Sequence, residues 1–309
     1  LMIFTAACTK KGEVTAPKEN KYRIAVVAKI PSLDPYTSSD VYSSEAFGLF
    51  YETLVQYHYL KRPLTLEPLL AAKVPEISKD GKLVKISLKK GVFFHDDPCF
   101  EGGKGREFKS SDVAFMFERI ADKKTNSPMY GSFEGKVAGI DAFRKGDAKT
   151  ISGIKLIDDY NLEIHLTKPS PRFVLNFADS KTAIMARECV AKYADNISQH
   201  PVGTGAYLPN QLNLNQKIVA VRNPNYKHMT YPTEGNKGDA EKGLLADAGK
   251  ALPFIERIEI EVIVEDQPRW LKFMAGEIEA SSVPKDNFSS ALPGGKMAPE
   301  LVARGVQHF

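Results

Sequence analysis

Alternation of apolar and polar residues predicts strands at several places in the chain. Residues 21–27 are rich in β-branched side chains and are bounded by polar residues, as strands commonly are. Residues 82–89 alternate with the period of a half-buried strand, after an Asp-Gly turn signal at 80–81. The ranges 217–221 and 255–264 show similar strand character. We therefore predict a strand in each of these four ranges.

Apolar residues three and four positions apart predict helices elsewhere in the chain. Residues 43–57 carry one such stripe. A second stripe follows Ser110 and Ser111, either of which would cap a helix that has Asp112 in its first turn. Shorter helices are predicted over 171–177, 186–194 and 268–275.

A β-hairpin is predicted near the middle of the chain. Residues 154–157 and 162–166 have strand character, and the intervening 158–161 contain two aspartates and an asparagine, which favour turns. Strands and helices alternate without a strict βαβ order, and the chain has no internal repeat. The fold class is therefore α/β or α+β, with more than one lobe.

Length and composition exclude some classes of protein. The chain has 309 residues, of which 43% are hydrophobic and 26% charged, typical of a globular protein with about two domains. Its 42 basic and 38 acidic residues are interspersed, so there is no basic surface of the kind that binds nucleic acid. No run approaches the ~20 apolar residues of a membrane-spanning helix. Nucleic acid is not an expected partner.

The first residues have the features of a signal-peptide end. Residues 1–7 are largely apolar and finish in two alanines before Cys8, after which the sequence turns polar. A cysteine in this position resembles a lipobox, whose cysteine is lipidated after cleavage. We predict that residues 1–20 are a signal-peptide remnant, lipobox and flexible tether, with lipidation at Cys8. The alternative is a frayed apolar N-terminus.

The two remaining cysteines are Cys99 and Cys189, which form neither a CxxC pair nor a structural zinc spacing. In an exported protein they could pair as a disulfide, or they could be two separate thiols whose sulfur atoms do not meet. The sequence leaves both states open.

Motifs of common enzymes are absent from the sequence. There is no G-x-S-x-G elbow and no P-loop, and 203–205 is a G-x-G without the remainder of a dinucleotide fingerprint. The one local cluster of histidine and carboxylates is 95–97. Because three adjacent residues in a turn do not all point at one ion, we expect a solvated loop there. The sequence thus predicts no catalytic residue, no metal ligand and no cofactor.

Several short motifs follow one another in a recognisable order between residues 23 and 285. They are Leu33-Asp34-Pro35, Tyr51-Glu52-Thr53-Leu54-Val55, Asp80-Gly81, Gly91-Val92-Phe93-Phe94-His95-Asp96, Ser111-Asp112-Val113, Ile157-Asp158-Asp159, Pro201-Val202-Gly203-Thr204-Gly205-Ala206-Tyr207, Arg222-Asn223-Pro224-Asn225-Tyr226, Pro253-Phe254-Ile255, Gly276-Glu277-Ile278-Glu279 and Val283-Pro284. Each motif is weak alone, but their order resembles the bacterial extracellular solute-binding proteins of family 5. Segments 101–106 and 233–250 depart from the family pattern and are predicted surface insertions.

The resemblance implies a fold and a division into domains. The expected fold is α/β and periplasmic-binding-protein-like, of class II and the peptide-binder type, with an inserted extra small domain. Residues 21–50 plus 196–285 would form a discontinuous first lobe, and 51–195 the inserted small domain. Because family members are much longer, 286–309 would begin a second large lobe that is mostly missing from this chain.

The resemblance also implies a function. Family members are not enzymes; they capture peptides by hinge closure and deliver them to an ABC permease with its ATPase subunits. We expect a monomer, lipid-anchored through Cys8, in the periplasm or on the outer face of the cytoplasmic membrane. The alternative functions are a nickel- or oligosaccharide-specific binder on the same scaffold, or a secreted hydrolase.

Four ligand-binding residues follow from the same resemblance. Glu52, Thr53 and Leu54 would meet the peptide backbone, and Tyr130 would approach the cleft from the small domain. The alternative is a packing role for Leu54 and for Tyr130.

Overall fold

The computed structural model describes residues 20–307. The strands there are β1 (Lys21–Val26), β2 (Val55–Tyr57), β3 (Leu66–Pro68), β4 (Glu76–Ile77), β5 (Leu83–Ser87), β6 (Ile154–Asp158), β7 (Asn161–His165), β8 (Tyr207–Asn213), β9 (Lys217–Arg222) and β10 (Arg257–Val262). The α-helices there are α1 (Val41–Phe47), α2 (Ser110–Ala121), α3 (Tyr130–Phe133), α4 (Ile140–Lys145), α5 (Arg187–Tyr193), α6 (Asp266–Met274), α7 (Phe288–Ala291) and α8 (Pro299–Ala303). None of these helices has the length and apolar character needed to cross a membrane. The predicted lipidation site, Cys8, lies outside the described residues.

The first sheet brings together strands from distant parts of the sequence. Its order is β1-β10-β9-β8, with β1 parallel to β10 and the other neighbours antiparallel. On β10 the buried Ile260 faces the core, whereas its neighbour Glu259 is paired with Lys217 of β9 at 2.6 Å and with Arg257 at 2.6 Å. The period-2 pattern of β10 therefore divides an apolar face from a face of ion pairs.

The second sheet is built from the middle of the chain. Its order is β4-β5-β7-β6, antiparallel throughout. The hairpin predicted between 154 and 166 is confirmed as β6 and β7, and its turn is tightened by the Asp158 carboxylate, which accepts from the amide of Tyr160 at 2.7 Å. A short β2–β3 ribbon continues towards this sheet, because the amide of Ala72 donates to Ser87 at 2.8 Å.

The helix predicted over 43–57 is wrong beyond Phe47. After α1 the chain runs past two glycines of a distant segment, where the amide of Gly205 donates to the carbonyl of Phe50 at 2.9 Å. A Cβ atom on Gly203 would lie 2.2 Å from that carbonyl oxygen, and one on Gly205 would lie 2.5 Å from its carbon. Glycine at these two positions therefore permits a close approach of the two backbones that a side chain would block.

Two further details of the predicted helices need correction. The residue that precedes α2 is Lys109, whose amide donates to Asp112 at 2.9 Å, and Ser110 instead donates its hydroxyl to the carbonyl of Asp158 at 2.6 Å. The segment predicted over 171–177 is a run of 3₁₀ turns over Phe173–Ala178.

Strand β8 was not predicted from the sequence. Its residues are largely exposed and their burial does not alternate, so it lacks the two-residue period of a half-buried strand.

One main hydrophobic core extends over both sheets. Its centre includes Phe117 of α2, whose ring lies 4.9 Å from that of Phe133 and 6.2 Å from that of Phe177. A separate small cluster around Trp270 packs α6 against Leu292 and Leu301.

The open question about the cysteines is resolved in favour of a disulfide. Cys99 is bonded to Cys189 of α5, with 4.9 Å between their Cα atoms. The bond ties the insertion near residues 101–106 to α5, and Arg106 adds an ion pair with Glu188 at 2.6 Å.

Candidate functional site

The buried carboxylate of Glu52 is the centre of a polar cluster that joins segments following both sheets. Its oxygens accept from the hydroxyl of Thr204 at 2.7 Å, from the hydroxyl of Tyr226 at 2.8 Å and from Nε2 of His228 at 3.0 Å. Glu52 is 6% exposed. Removing a carboxylate from water costs free energy unless hydrogen-bond donors replace the lost water, and three donor groups do so here.

The partners of Glu52 reach it because two turns hold the chain in place. The side chain of Asn223 accepts from the amide of Asn225 at 2.9 Å and donates to the carbonyl of Gly205 at 3.2 Å. This Asx turn follows the end of β9, and Tyr226 and His228 come directly after it and reach the carboxylate. Burial, with the adjacent carboxylate of Glu52, raises the pKa of Tyr226, so the phenol stays protonated and donates.

Lys89, which follows the end of β5, lies close to the same polar cluster. Its ammonium lies 3.4 Å from the carbonyl of His228 and 3.5 Å from the sulfur of Met229. Burial lowers the pKa of Lys89, while the charges of Glu52 and Glu67 oppose that shift. The lysine therefore balances part of the negative charge that is buried at the junction.

Two of the predicted ligand residues lie beside Glu52 and face inward. The hydroxyl of Thr53 donates to the carbonyl of Val55 at 2.7 Å, and Leu54 is fully buried. The carbonyl of Leu54 accepts from the amides of Leu69 and Ala71. Contact of this segment with a ligand stays a prediction.

The fourth predicted residue, Tyr130, is held in a separate network. Its hydroxyl donates to Asp141 of α4 at 2.6 Å, and the guanidinium of Arg144 lies 4.0 Å from the centre of its ring. Burial and the Asp141 carboxylate raise the pKa of Tyr130. Its hydrogen bonds share no residue with those of Glu52, and its contact with a ligand also stays a prediction.

His95 is buried rather than part of a solvated loop, which corrects that expectation. Its Nε2 lies 2.9 Å from the carbonyl of Gly205, and its Nδ1 accepts from the amide of Gly203 at 3.4 Å. Burial lowers the pKa of His95, and the neutral tautomer with the proton on Nε2 satisfies both bonds. The imidazole therefore links the loop after β5 to the segment 203–205, which lies against Phe50.

The neighbouring carboxylates do not turn towards His95. Asp96 pairs with Lys104 at 2.6 Å, and Asp97 accepts from the hydroxyl of Tyr193 at 2.6 Å. Within residues 20–307, the group of side chains close enough to hold a metal ion is Asp97 with Cys99 and Cys189. Because those two cysteines are joined as a disulfide, they offer no thiolate to a metal.

Sequence reasoning missed the roles of Thr204, Tyr226 and His228. The first two lie in motifs that the family order picked out, but nothing local to them shows that they share one acceptor. Tyr226 and Glu52 are 174 positions apart. Only the fold brings them together.

A family model describes most of the chain. The model for bacterial extracellular solute-binding proteins, family 5 Middle, matches residues 65–301. Two curated relatives are the peptide transport periplasmic protein SapA of Haemophilus influenzae and the di/tripeptide-binding protein 3 of Pseudomonas aeruginosa. Each is 26% identical and matches over 82% of this chain, but over only 43% and 46% of the relative's length. The chain spans about half the length of these relatives.

Solved structures give the same fold. One is the ABC transporter-associated periplasmic binding protein DppA of Helicobacter pylori in complex with the peptide STSA. It is 27% identical, with a TM-score of 0.66 over 89% of this chain and 48% of that protein. OppA of Listeria monocytogenes bound to peptide is 19% identical, with a TM-score of 0.70 over 88% of this chain and 48% of its own, which shows the fold alone. The fold class predicted from the sequence is confirmed.

Proposed function

The chain belongs to the bacterial extracellular solute-binding proteins of family 5, and from that premise we propose that it captures peptides for an ABC importer. The observation that carries the proposal is the family match over residues 65–301. Relatives named for peptide transport and di/tripeptide binding support the ligand class. The partners would be a membrane permease with its ATPase subunits, and the protein itself would act as a monomer without catalysis.

The proposed mechanism is closure of lobes around the ligand. We propose that 21–50 plus 196–285 form the first lobe and that 51–195 form the inserted small domain. The pairing of β1 with β10 supports this division, because it joins the two separate segments of the discontinuous lobe. Hinge closure would bury the ligand and create the form that docks on the permease.

Attachment and location form a further part of the proposal. We propose that Cys8 carries a lipid that holds the protein at the outer face of the cytoplasmic membrane or in the periplasm. The disulfide between Cys99 and Cys189 supports an oxidising compartment, because such bonds are rare in reducing ones. Labelling the host with a radioactive fatty acid, followed by capture of the protein, tests the lipid; a Cys8→Ser variant that labels equally would refute it.

The binding residues are the finest part of the proposal. We propose that Glu52, Thr53 and Leu54 lie along the ligand cleft and that Tyr130 borders it from the small domain. Because their side chains have partners within the chain, their contribution would be to hold the walls of the cleft in shape. A Tyr130→Phe variant keeps the ring and removes the bond to Asp141, and we expect weaker peptide binding with an unchanged fold.

Native mass spectrometry of the protein purified from its host tests the ligand class. A spread of adducts that fragment as short peptides is the expected result. A single sugar, a metal chelate, or an empty protein that exogenous peptides do not fill would refute peptide capture while leaving the family assignment in place. The nickel alternative loses its local support because His95 is buried and bonded within the chain.

A further inference from the structure

A cavity of about 800 Å³ opens beside the Glu52 cluster. It lies between the loop that follows β5, the segment at 104–105 and the segment 223–228 that follows β9. The volume is in the range of small-molecule sites. The fold therefore provides a ligand-sized space at the surface of the junction between the two sheets.

The back wall of the cavity is fixed and has its polar groups satisfied. Thr204, Tyr226 and His228 line the cavity and donate to Glu52 behind them. His95 also lines it and is bonded to Gly205. This wall contributes shape, and groups for recognising a ligand must come from the rim.

The rim carries an excess of positive charge. Its lysines are Lys90, Lys104 and Lys227, against the single carboxylate of Asp96, so three positive charges minus one negative leave +2. Lys104 is paired with Asp96 at 2.6 Å. Across residues 20–307, the ammonium of Lys227 has no hydrogen bond or ion pair. That of Lys90 lies 4.9 Å from the centre of the Tyr160 ring, and its charge also acts on the carboxylate of Asp158, which does not line the cavity.

An apolar surface lies next to these charges. Phe93 lines the cavity and is 54% exposed, and Leu208 and Pro224 continue the apolar lining. Asn225 stands on the same rim, and within the described part of the chain its side-chain amide makes no hydrogen bond. The lining of the cavity thus combines lysines and an amide with an exposed aromatic ring.

We propose that this cavity binds a small organic anion. Its carboxylate would lie between Lys90 and Lys227, where charge-assisted hydrogen bonds form, and its apolar part would pack on Phe93. A free aromatic or aliphatic acid and the C-terminal end of a peptide share this chemistry. The inference stands apart from peptide import, because it rests on the charges and shape of this cavity alone.

Fluorine NMR with fluorophenylpropanoate tests the proposal, with the neutral fluorophenylpropanamide as the matched ligand. The protein variants are Lys90→Ala, Lys227→Ala and the double variant. Lys149→Ala is the control, because Lys149 is also exposed but does not line the cavity. Circular dichroism establishes that each variant is folded, as expected for substitutions at exposed positions.

We expect the acid to bind about tenfold more tightly than the amide, as loss of a charged hydrogen bond implies. The double variant should bind both alike, and Lys149→Ala should leave the difference intact. Added salt should weaken the binding of the acid and leave the binding of the amide unchanged. A peptide source is indicated if a peptide with a free C-terminus displaces the acid and its amidated form does not; failure of both peptides indicates a free acid. Equal binding of acid and amide by the parent protein, or a preference that survives in the double variant, would overturn the proposal.

Discussion

The buried ion pair between Asp34 and Arg119 offers the sharpest test of how the parts of this fold are joined. Arg119, on α2, donates two hydrogen bonds to the Asp34 carboxylate at 2.7 and 2.6 Å, and the two side chains are only 11% and 3% exposed. The guanidinium also lies 5.0 Å from the centre of the Tyr36 ring. Replacement by Arg119→Met keeps much of the side-chain volume but leaves the carboxylate buried without its cation.

The expected cost follows from the state that the substitution leaves behind. Removing one partner of a buried pair destabilises a protein by about 3–5 kcal/mol, because the other charge stays buried without compensation. Loss of the cation–π contact with Tyr36 adds about 1 kcal/mol. In the double variant with Asp34→Leu no charge remains buried, so we expect it to recover at least about 2 kcal/mol of the loss.

Urea unfolding of the parent, both single variants and the double variant measures these differences in the free energy of unfolding. Lys250→Met is the control, because its ion pair with Asp247 is exposed and should contribute less than about 1 kcal/mol. A loss below about 1 kcal/mol for Arg119→Met would refute the reasoning. So would a double variant that is no more stable than the single one.

Three more predictions concern the other polar and covalent links. Replacing Cys99 by serine and Cys189 by alanine should lower the free energy of unfolding by about 4 kcal/mol, since the bond closes a loop with a sequence separation of 90. Urea unfolding measures this loss, and the parent protein with its disulfide reduced should be as unstable as the variant. Glu52→Ala should cost about 3 kcal/mol in urea unfolding and Glu52→Gln clearly less, because the alanine leaves the buried donors, His228 among them, without an acceptor. Burial raises the pKa of Glu259, but hydrogen bonds from its basic neighbours outweigh that effect and hold it at about 2. Because the folded pKa lies below the unfolded value, roughly 2 kcal/mol of stability should be present above about pH 4.5 and be lost as the pH falls towards 2; Glu259→Gln should flatten that part of the pH profile, and an unchanged profile would contradict the assignment.

The comparison of sequence and structure separates local from distant causes. Strands β5 and β7 were predictable because burial of one sheet face imposes a two-residue period within each strand. Strand β10 was predictable from its alternation of apolar and charged residue types, although Glu259 and Ile260 are both buried. The hairpin was predictable because its turn residues lie between its strands. The family could likewise be identified from the sequence, because the identification depends on the order of short motifs along the chain.

The helix predicted over 43–57 shows where local reasoning ends. Its apolar spacing is real, and Phe50 and Leu54 are fully buried, but they are buried in an irregular segment rather than a helix. The backbone there bonds to Gly205 instead of continuing α1. Tertiary hydrogen bonds therefore overrode a weak helical propensity.

The sequence by itself determined the class of fold, most strands and the family, because these depend on periodicity and motif order along the chain. The tertiary structure alone decided that Cys99 meets Cys189, that Asp34 meets Arg119 and that Glu52 meets Tyr226 and His228. The physical reason is that a charge or thiol has no preference for a distant residue until the apolar core brings the two within a few ångströms. Only then do desolvation and hydrogen bonding make one partner better than all others.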